Sequence, residues 1–403
     1  MRLLSILFTV VLSAIVSKCC THADTTQMSA SCVRDTILLD IKPADKVIID
    51  TAVNLNYHQL ILPEGVSLVF KGNGRIENGY ICGNRTYIEP TNLHVFKNVK
   101  ISGTWNVPIV RSSMFVDIER DHLPNLFKLC SGANSNKVFI NPGRYIVICP
   151  SEGQSCMVVP SNTDVSIDGT IELAANSYDA YNILYLNGDN ISFHGTGTIV
   201  GDRKNHEGKT GEWGHGVCIG SGKGIIVSGL NIKDCWGDCV YVRGEGTEAV
   251  IKDCKLSNSR RQGVTITKAK KVNVANCRIE HIGGTAPGYA IDIESNKDDV
   301  IETIGIDHVY VSHCNGGIKS SALANGSRIN TISVTNCRVL DSCHENAYEF
   351  IKTDRLVMSN CFACDGNNPI LLRLVDDAKL TQNKISGRIN NRIVEKCTVS
   401  VDR

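Results

Sequence analysis

Aromatic residues are scarce in this 403-residue chain, at 6%, and there are only 10 prolines against 35 glycines. Such a balance suits many short strands joined by tight turns. Charge of one sign is missing too: 42 Lys+Arg face 41 Asp+Glu, a formal net charge of +1. A nucleic-acid binder should carry a basic stripe or domain, and none is visible. An acidic glycan is not excluded, because a charged cleft can hide within a neutral total. Beyond the N-terminus no stretch is apolar enough to span a membrane, so no membrane contact is expected except through a leader.

The leader itself is legible. Arg2 precedes an apolar run from Leu3 to Val16, and the chain turns polar at Ser17-Lys18. Residues 1–23 therefore read as a signal peptide. Two alternatives stay open, lipidation at Cys19 or Cys20 and ordinary cleavage after Ala23. Either implies export to a periplasmic, outer-membrane-associated or extracellular location.

In an exported chain, 18 cysteines would ordinarily announce a disulfide framework. Their spacing suggests a repeat instead. Lys233-Asp234-Cys235, Lys252-Asp253-Cys254, Ala275-Asn276-Cys277, Ser312-His313-Cys314, Thr335-Asn336-Cys337 and Ser359-Asn360-Cys361 each set a polar residue directly before a cysteine. Most close an alternating apolar run. A second beat, a small residue followed by apolar-x-apolar, recurs at Gly216, Cys239, Gly263 and Ala290, and more loosely at Gly317, Ala347 and Pro369. The starts lie roughly 22 to 30 residues apart, the length of one β-helix coil with variable loops. The consensus of a leucine-rich repeat is absent.

The expected fold is thus all-β, a right-handed single-stranded parallel β-helix whose coils bury their apolar faces by stacking. Residues 24–115, with the strand signals Leu60-Ile61-Leu62 and Val66–Phe70, should form an N-terminal β-rich region. A short helix within Asp121–Cys130 should cap the stack, and the β-helix should complete residues 116–403. The cysteines should form a ladder of small buried free thiols, although stacked coils would bring neighbouring thiols within bonding reach.

Several segments carry a family resemblance: Gly201-Asp202-Arg203, Glu212-Trp213-Gly214-His215-Gly216, Asp234-Cys235-Trp236-Gly237-Asp238, Arg260-Arg261-Gln262-Gly263, and Gly284-Thr285 through Ile291-Asp292-Ile293-Glu294. With the early Leu62-Pro63-Glu64-Gly65, they resemble exported β-helix proteins of the pectate-lyase and polygalacturonase-like superfamily, of Bacteroidetes type. The resemblance implies a carbohydrate-directed groove. It does not carry pectinase activity over, because the polygalacturonase order of motifs is not reproduced and Gly214-His215-Gly216 precedes Asp238.

Strand alternation places the candidate residues independently of the resemblance. The residue between two inward apolar neighbours points outward, giving an outer ladder of Cys218, Tyr241, Thr265, Asp292, Lys319, Glu349 and Leu371. Arg243, Thr267, Glu294 and Ser321 should follow two residues later, and His215, Asp238, Gln262 and Tyr289 should precede the strands in register. Any single one of these reads equally well as a solvated or turn residue. Their concentration on one face does not, and Asp292 with Glu294 on one strand places two like charges together.

Candidate catalytic residues are therefore Asp238, Asp292, Glu294 and His215. Candidate substrate contacts are Asp202, Arg203, Glu212, Trp213, Tyr241, Arg260, Arg261, Gln262, Tyr289 and Lys319. Paired carboxylates suit a glycoside hydrolase, one protonating the leaving oxygen and the other activating water or attacking. Side chains two apart on a strand start roughly 6.5–7 Å apart, nearer the inverting spacing than the retaining one. A lyase or epimerase would instead need a base at a uronate C5 and a neutralised carboxyl, roles open to His215, Tyr289, Lys319 and Arg261. A non-catalytic glycan-binding or structural wall is the third reading. Ca²⁺ could bridge carboxylates, but no compact oxygen-ligand motif demands it, and no other cofactor or metal is indicated.

Overall fold

The structure is a computed structural model that describes residues 41–116, 122–132, 136–340, 345–364, 370–385 and 397–402. The leader, with Cys19 and Cys20, lies outside the described residues. The rest forms two compact units: residues 41–116 with 128–132, and residues 122–127 with the described chain from 136 onward.

The larger unit is a right-handed parallel β-helix. Its main wall stacks Ser155–Val159, Ala180–Leu186, Trp213–Ile219, Val240–Arg243, Val264–Ala275, Tyr289–Glu294, Gly316–Ser321, Tyr348–Ser359 and Ile370–Thr381, each parallel to the next. The outer ladder falls where alternation puts it: Cys218, Tyr241, Thr265, Asp292, Lys319, Glu349 and Leu371 are consecutive cross-strand partners. Inward neighbours such as Val217, Val240, Val264, Ile291 and Ile318 are at most 1% exposed. Each such side chain contributes about 1.5–3 kcal/mol by leaving water, and only stacking makes that available. The second beat of the repeat has a steric cause. A Cβ on Gly216, Gly263 or Gly317 would stand 2.8, 2.4 or 2.0 Å from the backbone oxygen of Cys239, Ala290 or Ala347 in the next coil.

The cysteine beat has a conformational cause. Asp234, Asp253, Asn276, His313, Asn336 and Asn360 all adopt left-handed backbone, with φ between 51° and 58°. Asn and Asp tolerate that region better than most side chains. Amides also bond from coil to coil, Asn276 to Asp253 at 3.3 Å and Asn360 to Asn336 at 2.7 Å. The thiol that follows donates back across the turn to the carbonyl two residues earlier, at 3.1–3.3 Å for Cys254, Cys277, Cys337 and Cys361. These four are free and at most 3% exposed. They are buried donors as well as small fillers.

Three expectations need amending. Thr267 does not follow Arg243 in register, because a bulge after Val242 pairs Arg243 with Lys268. The short helix forms, but only over Pro124–Lys128. The N-terminal region is more regular than its punctuation suggests: Lys46–Ile49 pairs parallel with Ser67–Phe70, and Arg75–Ile88 with Phe96–Asn106, partners lying 19 to 21 residues apart.

Candidate active site

Two outward carboxylates occupy the middle of the wall of the larger unit. Asp238 precedes strand Val240–Arg243, and Asp292 lies within Tyr289–Glu294 between Ile291 and Ile293. Alternation turns both away from the aliphatic core, yet each is 0% exposed. Neighbouring coils overlay these outward positions, and burial governs the acidity.

Gln262 locks the pair. Its backbone N–H donates to Asp238 Oδ1 at 3.1 Å, and its Nε2 donates to Asp292 Oδ2 at 2.9 Å. Its own Oε1 accepts the Tyr289 N–H at 2.7 Å, which fixes the amide orientation. Gln262 is therefore a clamp between carboxylates, where sequence reasoning expected a substrate contact. Asp292 Oδ1 is buried with no hydrogen-bond partner. Burial pushes Asp292 up to about 7, with Lys319 opposing and Glu294 adding. Burial likewise pushes Asp238 up to about 6, against the pull of Arg261. Both carboxyls are thus shifted towards neutrality, Asp238 less than Asp292.

Arg261 collects the acids of this wall. Its Nη1 donates to Asp238 Oδ2 at 3.1 Å, its Nε lies 3.8 Å from Glu212 and its Nη2 lies 3.9 Å from Glu294. Glu294 is thus neither the like-charged twin of an ionised Asp292 nor buried with it. Its side chain is 45% exposed and paired loosely to arginine.

His215 is present at the site, packed against Asp238. The Asp238 backbone N–H donates to its Nδ1 at 3.2 Å, so Nδ1 offers a lone pair and the ring proton sits on Nε2. Burial, reinforced by Arg261 and Arg243, pushes the ring down to about 3. The 3.4 Å approach of Nδ1 to Asp238 Oδ2 is consequently not an ion pair near neutrality. Neutral His215 stacks on Tyr241 with ring centroids 4.5 Å apart and holds the Asp238 turn. The flanking glycines permit this, since a Cβ on Gly214 would meet the Tyr181 ring at 2.4 Å.

One and two coils onward lies a second polar group. Tyr289 Oη donates to Glu349 Oε2 at 2.8 Å, Asn346 donates to the same oxygen, and Lys319 Nζ sits 5.3 Å over the Tyr289 ring.

Other expected contacts are engaged elsewhere. Asp202 is 2% exposed and accepts bonds from Tyr181, from Asn176 at 2.9 Å and from His206 at 2.8 Å. His206 stacks on Trp236 at 4.0 Å, and Arg260 covers that indole at 3.9 Å while donating to the Gly211 carbonyl. Arg203 donates to the Gly283 carbonyl at 2.7 Å and to Asn258 at 3.2 Å. These residues root the 202–214 insertion; Trp213 is half-exposed, and Glu212 reaches Arg261 at 3.8 Å. Tyr185 was missed. It precedes Cys218 on the outer ladder, and Leu184-Tyr185-Leu186 carries the apolar-x-apolar signal. The long insertion stretches its spacing to 33 residues, outside the apparent period.

Residues 173–332 match the family model described as Right handed beta helix region. Among curated proteins, the chain is 30% identical over 190 residues to the uncharacterized protein YclG of Bacillus subtilis (strain 168). It is 27% identical over 183 residues to the SPbeta prophage-derived uncharacterized protein YorA of the same strain. These matches span 41% and 39% of this chain, and the chain spans about a third of either relative, 32% and 30%. Among solved structures, pectate lyase Pel9A overlays with a TM-score of 0.37 at 10% identity, covering 66% of this chain and 68% of that one. The Azotobacter vinelandii mannuronan C-5 epimerase AlgE6 A-module overlays at 0.33 with 12% identity, covering 67% and 91%. Overlays this loose say nothing about activity, and the fold rests on the strand register itself.

Proposed function

We propose that the outer wall of the β-helix binds a polysaccharide and cleaves it by acid–base catalysis, as a glycoside hydrolase. Asp292 is the acid that protonates the leaving oxygen, and Asp238 is the carboxylate that activates water or attacks. The observation that carries this reading is the pair of fully buried carboxyls clamped by Gln262 and raised to about 6 and about 7. Between those values the pair is mostly singly protonated, the state a hydrolase needs. Asp292 is sealed at rest, so substrate reaches it by displacing charged neighbours such as Lys319, Glu294 or Arg261.

A second reading rests on a separate observation. Tyr289 bonded to Glu349, with the Lys319 ammonium above its ring, places a phenol and a cation beside the acids. A lyase or epimerase acting on uronates uses such groups. Incubating the protein with neutral and uronic-acid glycans, while following reducing ends and ultraviolet absorbance together, separates the two. Saturated ends carrying solvent oxygen, with a rate maximum between about pH 6 and pH 7, are expected. Asp292→Asn should lower turnover by roughly 10²–10⁴-fold. Unsaturated, ultraviolet-absorbing products would replace the hydrolase with the lyase, and binding of glycans with no cleavage would leave a non-catalytic wall.

A further inference from the structure

Arg243 sits at the bulge that breaks the register after Val242. Bulges re-aim side chains, and they concentrate beside functional sites. Here the guanidinium lies 5.9 Å from the ring of Tyr241 on its own strand and 5.9 Å from the ring of Tyr185, two coils earlier. Between those coils it spans the buried Cys218 thiol, which burial pushes up to about 11. The groups that face Arg243 thus include the Cys218 thiol and the Tyr185 and Tyr241 rings, none of them a carboxylate.

Five arginines contrast with it, although Arg203 and Arg260 donate to backbone carbonyls and not to a carboxylate. Arg144, Arg261, Arg278, Arg328 and Arg355 each have a carboxylate within 4.0 Å. Lys268, the register partner of Arg243, is neutralised by Asp299 at 3.1 Å and Glu245 at 3.4 Å. Among the described residues no carboxylate pairs with Arg243, although it is exposed on the same wall as the acids. Tyr241 precedes Asp292 on the ladder by two coils. At roughly 4.8 Å per coil the Tyr241 row lies about 10 Å from Asp292, while Asp238 stands in the Tyr241 coil itself, just before its strand.

We propose that Tyr185, Arg243 and Tyr241 form a subsite on the Asp238 side of the wall for an anionic sugar unit, bearing a carboxylate or a sulfate ester, of the glycan held at Asp238 and Asp292. The Tyr185 ring offers an apolar face to the sugar, Tyr241 being stacked on His215, and the guanidinium offers paired N–H donors to the anion. This rests on the glycan-cleaving reading for its occupant and adds the charge of that occupant.

The test uses the full chain carrying Asp292→Asn, so that binding is read without turnover. Three probes are titrated calorimetrically: a galacturonic acid hexamer, a sulfated galactose hexamer and its unsulfated form. At least one anionic hexamer should bind tenfold or more tighter than the neutral one. That preference should shrink as salt is raised from ~50 mM to ~0.5 M, as screening requires. Which anionic hexamer wins tells carboxylate from sulfate. Adding Arg243→Met should weaken the preferred hexamer by tenfold or more and the neutral one by less than threefold. Equal binding of neutral and anionic hexamers overturns the proposal, as does equal loss of both on Arg243→Met, or no binding of any probe. Salt dependence in the parent protein decides the matter if Arg243→Met does not fold. Selective anionic binding with no turnover by the wild-type chain would remove the hydrolase and leave the subsite standing.

Discussion

Replacing Asp292 by Asn should make the protein more stable at alkaline pH, and the size of the gain measures whether this carboxyl is an acid in waiting. The shapes match, and the Asn carbonyl can accept the Gln262 bond that Asp292 Oδ2 accepts at 2.9 Å. What disappears is the cost of ionising a group with no exposure and an unpartnered Oδ1. A rise from the ordinary 3.8 to about 7, at about 1.36 kcal/mol per unit, corresponds to about 4 kcal/mol. The folded state binds the proton more tightly than the unfolded chain, so wild-type stability falls as pH rises from about 4 to about 7. Below pH 4 the carboxyl is protonated in both states and the difference vanishes. Urea unfolding midpoints of wild type and Asp292→Asn, taken in reducing buffer, should coincide near pH 4 and separate towards pH 8 with the variant higher. A separation that stays constant from pH 4 to pH 8 would show that Asp292 ionises like an ordinary surface carboxylate, and its role as the acid would go with it.

Two further outcomes follow from the same geometry. Gln262→Leu leaves the Tyr289 N–H and an Asp292 oxygen buried without their partner, so stability should fall by roughly 2–5 kcal/mol in chemical unfolding, and the rate maximum should move as the Asp292 acidity changes. Cys254, Cys277, Cys337 and Cys361 should resist a thiol reagent in the native protein and react once unfolded, as mapped by mass spectrometry. Native coil-to-coil disulfides would contradict the free ladder.

The architecture was legible because both beats of the repeat have local causes. A left-handed Asn or Asp before each cysteine, and a residue too small to strike the next coil, are written into neighbouring letters. Alternation then carried the outer ladder through seven coils. Contact geometry was less accessible. Nothing in Arg260-Arg261 says that Arg261 binds Asp238 while Arg260 covers Trp236, because both depend on how the 202–214 insertion folds back. The tautomer of His215 was hidden for a related reason, since it is set by one backbone N–H in the following coil. Depth was only partly legible. Period-two alternation gives direction, and whether an outward carboxylate meets water depends on side chains one coil away.

The thiol ladder has a consequence for handling and lifetime. Each cysteine along it is shielded from oxidants only while its coil is stacked, and neighbouring coils hold thiols at equivalent turn positions. Once coils part, thiolates form readily and can pair with whichever sulfur is nearest. Unfolding in air should therefore run in one direction, with mispaired chains unable to rebuild the stack. Durability then becomes a matter of how slowly the first coil opens, a rate and not a free-energy difference.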